Sequence, residues 1–349
     1  MNNNVSCVGF DPGNSFAKVC QDGSAQKFLS CISEVINTSD FEDCNFGIDS
    51  ALIEYIDGDR QELKGQNWVI GKLANEYQKD YVQNISDSVG SSDKATLGLQ
   101  FLLAGMRPKI TGLPVQIPYL FASVPNTKVL KDKLIKNLKG THVIRKNGGD
   151  IFEVQIGEVK VLGEGQGALV YGLSKGQGNQ DGEYLATLDI GYGTAISQVY
   201  RRNGEPLGIG NNRKVLETGV RTLLDNLAKD DLFLSKLNRS ADVELLKSTI
   251  EKATVNGFYQ YGANPSIDFK NAFEKHHRNW LTSIAKPLVK NLETHWDNIG
   301  SIFLIGGGSN LASQLAKGKI IKLPEPQMAN VKGLWILSKG KTREIVAVA

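Results

Sequence analysis

An apolar strand that runs into an aspartate and then into a turn of small residues occurs twice in this chain, at Asp11 and at Asp189. The first copy is Val5–Phe10, then Asp11-Pro12-Gly13-Asn14-Ser15, then an extended segment Phe16–Gln21. The second is Tyr184–Ile190, a glycine turn at Gly191–Gly193, and a continuing strand Ala195–Arg201. Each reads as two strands joined by a tight turn. A recurrence at this distance is far longer than any solenoid repeat, so it points to a duplicated domain. A third turn, Gly306-Gly307-Gly308, follows the buried strand Ser301–Ile305 and leads into an expected helix at Ser309–Leu315.

Length agrees with duplication, because 349 residues exceed what one hydrophobic core normally serves. At 41% hydrophobic the chain can fill sizeable cores, which excludes global disorder. The 40 basic and 37 acidic residues leave a net charge of +3, without the concentrated basic face of a protein that coats DNA. The expectation is no direct nucleic-acid contact, only contact through a partner. The start, Met1-Asn2-Asn3-Asn4-Val5-Ser6-Cys7, has no secretory pattern. No apolar run reaches bilayer length, so a cytoplasmic protein without membrane contact is expected. Cys7, Cys20, Cys31 and Cys44 form no C-x-x-C pair and read as small apolar fillers. His276 and His277 are adjacent, so on a helix they point about 100° apart and cannot chelate one metal; Lys275–Arg278 reads as a solvated face.

Between the turns, strands are expected at Ala51–Asp57, Trp68–Ile70, Tyr119–Val124 and Ile151–Leu162. Helices are expected at Lys94–Ala104, Val129–Leu138, Ala168–Leu173, Gly219–Leu227 and Ala329–Leu337. Lys229–Gly262 is polar and helix-rich. Trp280–Trp296 carries an apolar helical stripe that Pro287 should kink.

The chemistry follows from the turns. Backbone N–H groups of a small-residue turn can cradle phosphate oxygens. An adjacent carboxylate repels phosphate but can hold the hydrated magnesium that neutralises it. Two such turns, one from each domain, could pinch a pair of phosphates, and Lys18 adds a positive charge. Gly306–Gly308 allow close approach of a flat, bulky group. G-x-x-x-x-G-K-[ST] and a strand-borne G-x-G-x-x-G are both missing, which disfavours the P-loop and dinucleotide-binding classes.

In order and separation the three turns resemble the phosphate-1, phosphate-2 and adenosine motifs of the actin, Hsp70 and sugar-kinase superfamily. Gly163-Glu164-Gly165-Gln166-Gly167-Ala168-Leu169 resembles the connecting motif. Trp68–Ala74, Ala122-Ser123-Val124-Pro125-Asn126 and Ala329–Trp335 resemble the bacterial ParM/StbA-type actin-like plasmid segregation proteins. The resemblance covers nearly the whole chain apart from roughly 229–277.

It implies an α/β, two-domain actin-like (ribonuclease H-like) fold with a nucleotide cleft between duplicated domains. Domain I would span 1–182, with a small subdomain at about 29–94. Domain II would span 183–349, with a small subdomain at about 219–274 and a C-terminal segment packing back toward domain I. It implies ATP and Mg²⁺ as cofactors. Asp11 and Asp189 would hold magnesium through water. Gly13, Asn14, Ser15 and Lys18 would meet the phosphates from one side, and Gly191, Gly193 and Thr194 from the other. Glu164 would position the attacking water. Gly306, Gly307 and Gly308 would lie under ribose and adenine, with Glu217 as a further contact. Two departures stand out: Glu164 follows a glycine where relatives often have proline, and Asn14 replaces a small hydroxyl or glycine.

The function implied is a filament-forming ATPase that assembles head-to-tail with copies of itself. It would serve plasmid segregation through a DNA-binding adaptor, or another cytoskeletal role. The alternatives are a sugar-type small-molecule kinase of the same superfamily and a non-polymerising ATP-binding regulator. An Hsp70-like chaperone is disfavoured because little chain follows the last helix, and a membrane tether because residues 339–349 are poorly patterned.

Overall fold

The first apolar run forms β1 (Val8–Pro12), which returns antiparallel as β2 (Phe16–Gln21), with Asp11 opposite Lys18. The computed structural model describes residues 4–77, 82–84, 92–178, 181–208, 212–263 and 266–346. They divide into two units, one of Met1–Gln177 with Met328–Ala349, the other of Gly178–Gln327.

The first unit continues through β3 (Ser24–Leu29), β4 (Cys31–Glu34), β5 (Ser50–Gly58), β6 (Asn67–Gly71) and β7 (Gln83–Asn84). It is completed by β8 (Val115–Val124), β9 (Gly140–Lys146) and β10 (Ile151–Gly163). All ten strands join one sheet in the order β3-β2-β1-β8-β10-β9-β5-β6-β4-β7. Its helices are α1 (Lys72–Tyr77), α2 (Ser92–Thr96), α3 (Gly98–Ala104), α4 (Thr127–Leu138) and α5 (Gln166–Ser174). Alternation in β10 buries Phe152, Val154 and Ile156, and the four-residue spacing of Leu130, Leu134 and Leu138 turns α4 onto the same core. A separate small core of Cys31, Val35, Phe41, Phe46, Leu52, Val69 and Ala74 lies under β4 to β6.

The second unit repeats the hairpin as β11 (Tyr184–Ile190) and β12 (Ala195–Arg201), with Asp189 opposite Ile196. β13 (Arg213–Leu216) follows, then α6 (Val220–Ala228), α7 (Asp231–Leu237) and α8 (Val243–Asn256). The short strands β14 (Gln260–Tyr261) and β15 (Ile267–Asp268) pair with each other. After α9 (Lys270–Lys290) come β16 (Ile299–Ile305) and β17 (Ile320–Lys322). The sheet order is β13-β12-β11-β16-β17. This reproduces the β3-β2-β1-β8-β10 half of the first sheet, with two antiparallel pairings followed by two parallel ones. The duplication suggested by the two aspartate turns is therefore one of topology.

The chain ends in α10 (Ala329–Val346), which belongs to the first unit and packs on α5 and β1. It runs nine residues past the expected end at Leu337. Ser338 is fully buried there, accepting from the Val8 N–H at 2.9 Å and donating to the Tyr119 carbonyl at 2.7 Å, so tertiary contacts carry the helix onward. Three other expectations need correction. The helix expected over Lys94–Ala104 is broken at Leu97 into α2 and α3, where Gly98 packs against Leu134 and the Phe10 ring. The stripe expected at Trp280–Trp296 begins ten residues earlier, as α9, and stops at Lys290; Pro287 lies within its last turn. His276 and His277 diverge as expected of neighbours on a helix, but they are half-buried and bonded, not solvated.

His276 and Lys275 both bond Asp230, at 2.8 and 3.0 Å, while Asp230 caps α7 by accepting from the Leu232 N–H. Burial works to raise the Asp230 carboxyl, but the Leu232, His276 and Lys275 hydrogen bonds hold it at about 2, against an ordinary 3.8. A carboxyl whose folded value is depressed stabilises above its unfolded value and loses that contribution as pH falls through the folded one. Asp230→Asn should therefore cost on the order of 1 kcal/mol at pH 7. The melting-temperature gap to the wild type should be full above about pH 4 and narrow toward pH 2. A gap independent of pH, read by scanning calorimetry, would remove the electrostatic explanation.

Candidate functional site

In the first unit the parallel strands β1, β8 and β10 end side by side, and polar residues collect at their C-terminal ends. This is where open parallel sheets leave room for ligands. Asp11 is 5% exposed, and Lys18 donates to its Oδ2 at 3.0 Å. Ser123, next to last in β8, donates to Asp11 Oδ1 at 2.8 Å and accepts from Asn330 Nδ2 of α10 at 2.9 Å. Burial pushes the Asp11 carboxyl up, but the Lys18 charge and hydrogen bond, the Ser123 hydroxyl and the Lys94 charge outweigh it and hold the group below its ordinary value. Asp11 is thus an ionised carboxylate kept in place by three elements.

The turn after it is tied back by Ser30, whose hydroxyl donates to the Gly13 carbonyl at 2.6 Å and whose N–H donates to the Ser15 carbonyl at 3.0 Å. The Gly13 N–H is taken up by the Asp11 carbonyl at 2.9 Å, so the N–H groups of Asn14 and Ser15 are the ones such a turn can offer to a ligand. The Asn14 Oδ1 atom is buried and has no hydrogen-bond partner. Buried polar atoms are nearly always paired, so this amide is a place where a ligand can complete the bonding. Glu164 follows β10, with its N–H on the Val124 carbonyl at 3.1 Å. Its carboxylate, 20% exposed, accepts from Lys94 Nζ at 3.2 Å, and Lys94 is 2% exposed.

In the second unit the parallel neighbours β11 and β16 place Asp189 level with Ile305, so the second and third turns meet. Gly306 has a φ of +90°, and a Cβ there would come 2.3 Å from Asp189 Oδ1; only glycine allows the carboxylate to lie against this backbone. The Gly308 N–H donates to the Ile190 carbonyl at 2.8 Å. Gly308 itself is buried, and a Cβ would strike Val220 and Ile190, so its lack of a side chain serves packing; Gly307 is exposed.

The second turn is stitched to the start of α6. The carbonyls of Gly191, Tyr192 and Gly193 accept from Val220, Arg221 and Gly219 at 3.1, 2.8 and 3.2 Å. Gly191 closes the turn on the Thr194 carbonyl at 2.8 Å. With the carbonyls of Gly191–Gly193 facing α6 and the Gly191 N–H used inside the turn, the N–H groups of Tyr192 and Gly193 are the ones it can offer to a ligand. Glu217 stands exposed between β13 and α6. The helix expected at Ser309–Leu315 is instead a run of turns ending in a single 3₁₀ turn, Ser313–Leu315. Apart from the Ala312 N–H on the Gly308 carbonyl, its backbone bonds span three residues, as in turns rather than an α-helix. A helix N-terminus is therefore not presented after the third turn.

Comparison with solved structures decides the fold. The chain matches Ta0583, an archaeal actin homolog, with a TM-score of 0.75 at 19% identity, covering 96% of this chain and 99% of that one. It matches a ParM from Clostridium botulinum, solved as a 15-stranded filament, with a TM-score of 0.72 at 18% identity, covering 97% and 99%. The chain has the actin-like fold. Residues 9–167 also match the family model described as the actin-like proteins N-terminal domain. A psk41 ParM in its apo form gives a TM-score of 0.68 at 16% identity, covering 98% and 99%. No curated protein sequence matches the chain.

Within the actin-like fold the structure gathers Asp11, Gly13, Asn14, Ser15, Lys18 and Glu164 at one sheet edge of the first unit. It gathers Asp189, Gly191, Gly193, Thr194 and Gly306 at the equivalent edge of the second. Sequence reasoning missed Lys94, Ser123, Asn330 and Ser30. Ser123 and Asn330 lie inside segments singled out for their resemblance, so a role for them was open to inference. Lys94 and Ser30 carried no signal, since their contacts depend on tertiary placement. No helix among the described residues is long and apolar enough to cross a membrane.

Proposed function

We propose that this actin-like chain is a filament-forming ATPase that binds Mg-ATP and hydrolyses it slowly, serving DNA (plasmid) segregation or another cytoskeletal task. One observation carries the reading. Each unit ends a strand in a carboxylate beside a small-residue turn whose carbonyls are tied back, at the edge where parallel strands open. Support also comes from the relatives, since Ta0583 has been solved in complex with ADP and the Clostridium botulinum ParM as a filament.

The residues fit the group. The N–H groups of Asn14 and Ser15 and those of Tyr192 and Gly193 suit phosphate oxygens, with Gly13, Gly191 and Thr194 shaping the turns, and the unpaired Asn14 amide, turned over, would donate to one. Asp11 and Asp189 are the hard oxygen donors that a hydrated magnesium ion takes, and held through water it would neutralise phosphate charge. Lys18 would exchange part of its bond to Asp11 for phosphate. Gly306 and Gly307 would lie under ribose and adenine, with Glu217 at the margin. Glu164, a carboxylate held by Lys94 at 3.2 Å, would orient the attacking water. Slow phosphoryl transfer needs positioning and charge neutralisation more than a strong base.

The test is sedimentation with ATP, a slowly hydrolysed analogue, ADP and no nucleotide, at matched magnesium. Pelleting should be strong with ATP and the analogue and much weaker with ADP or none. Equal pelleting in all four would remove the nucleotide switch, and no pelleting in any would favour a kinase or a non-polymerising regulator.

A further inference from the structure

Lys94 is a fully buried cation that none of the nucleotide motifs requires. Lysine is almost never buried to this degree unless its charge is answered, and here the answer is the Glu164 carboxylate at 3.2 Å. Its anchorage is rigid: Asn137 of α4, itself buried, donates to the carbonyl of Ala95, the next residue in α2. The pair joins a short helix to the end of β10 across 70 positions of sequence. Apolar side chains of similar volume in place of both partners would often hold the fold at least as well, because desolvating an ion pair costs much of what its attraction returns. The site also divides its charges evenly. Lys18 answers Asp11 through hairpin register, and Lys94 answers Glu164 from outside the hairpin while its charge also reaches Asp11.

We propose that Lys94 is a positioning residue for hydrolysis. It holds Glu164 in one rotamer, so that the carboxylate meets the attacking water in a fixed direction. The inference rests on the ATPase reading and deepens it, assigning to a residue outside the motifs the control of the hydrolysis rate separately from nucleotide affinity.

The experiment uses the full chain with Mg-ATP and compares wild type, Lys94→Met, Lys94→Arg, Glu164→Gln and the Lys94→Met/Glu164→Gln double variant. Phosphate release and equilibrium ATP binding are both measured. Lys94→Met should lower kcat by about 10- to 100-fold, as expected for a misplaced catalytic group, with ATP affinity changed by less than about threefold. Lys94→Arg should recover most of the rate. The double variant should be no slower than Glu164→Gln alone, because residues acting through one another are not additive. If Lys94→Met fails to fold, the double variant, which removes both charges, still supplies the comparison with Glu164→Gln. Wild-type kcat in Lys94→Met, or losses that multiply in the double variant, would overturn the inference and leave the ATPase reading standing. A wild-type chain that binds ATP without hydrolysing it would overturn both.

Discussion

Glu164→Gln should lower ATP hydrolysis by roughly 10²-fold, the range for a group that orients or assists a reacting water, and leave Mg-ATP affinity within about threefold. The affinity should survive because the turns proposed to take phosphate, at Gly13–Ser15 and Gly191–Thr194, would do so through backbone, and their bracing by Ser30 and α6 does not involve Glu164. Glutamine is the informative replacement. Alanine would leave the Lys94 ammonium buried with neither counter-charge nor hydrogen-bond acceptor, an arrangement that typically costs several kcal/mol and would mix folding with catalysis. Glutamine keeps an oxygen for Lys94 and removes only the charge. The measurement is single-turnover phosphate release beside equilibrium binding of a fluorescent ATP derivative. Hydrolysis at the wild-type rate would dismiss Glu164 from the reaction, whatever the binding data say.

The second large effect is on stability. α5 and α10 cross with their backbones almost touching, at Gly167 and Gly333. A Cβ on Gly333 would come 1.6 Å from the Gly167 carbonyl oxygen, and one on Gly167 would come 2.2 Å from the Asn330 carbonyl oxygen. The obstructing atoms are backbone, so no side chain can step aside. Gly333→Ala must push α10 off α5, which should cost about 3 kcal/mol or more and lower the urea midpoint accordingly.

α10 also brings Asn330 to Ser123, which donates to Asp11. The same variant should therefore weaken Mg-ATP binding wherever it remains folded. Gly340, on the same helix with open space around it, is the control. Gly340→Ala should be neutral or stabilising by roughly 0.5–1 kcal/mol, from helix propensity alone. Equal behaviour of the two variants would mean that the crossing is not close-packed in solution.

What could be read from the sequence was local or periodic. Asp11 and Asp189, the small residues after them and the strands on either side were all legible, because a turn is specified by the residues within it. Most strands and helices were found from alternation or three-to-four spacing, α4 and β10 among them. Composition and motif spacing also separated this chain from P-loop and dinucleotide-binding proteins.

Where local pattern and packing disagreed, packing decided. The segment from Lys94 to Ala104 has the apolar content of one helix, yet it breaks at Leu97, where Gly98 meets Leu134 and Phe10. The segment after Gly306 has helical composition and forms turns, because its backbone follows a glycine at φ +90° set against Asp189. α10 outruns its apolar pattern because Ser338 is bonded at both ends within the sheet-helix layer.

The charges around the turns show the same division. That Asp11 sits beside Lys18 follows from hairpin register, a matter of counting residues across a turn. That Glu164 is held by Lys94, and Asp11 by Ser123 and Asn330, follows from no local rule, because these partners lie 70 to 207 positions apart in pairwise sequence separation. Turn residues and periodicity are properties of neighbours along the chain, so the sequence alone determined the duplicated hairpins and the residue types that line them. The partners of those carboxylates are set by which helices the core brings to the strand ends, and only the tertiary structure decided them.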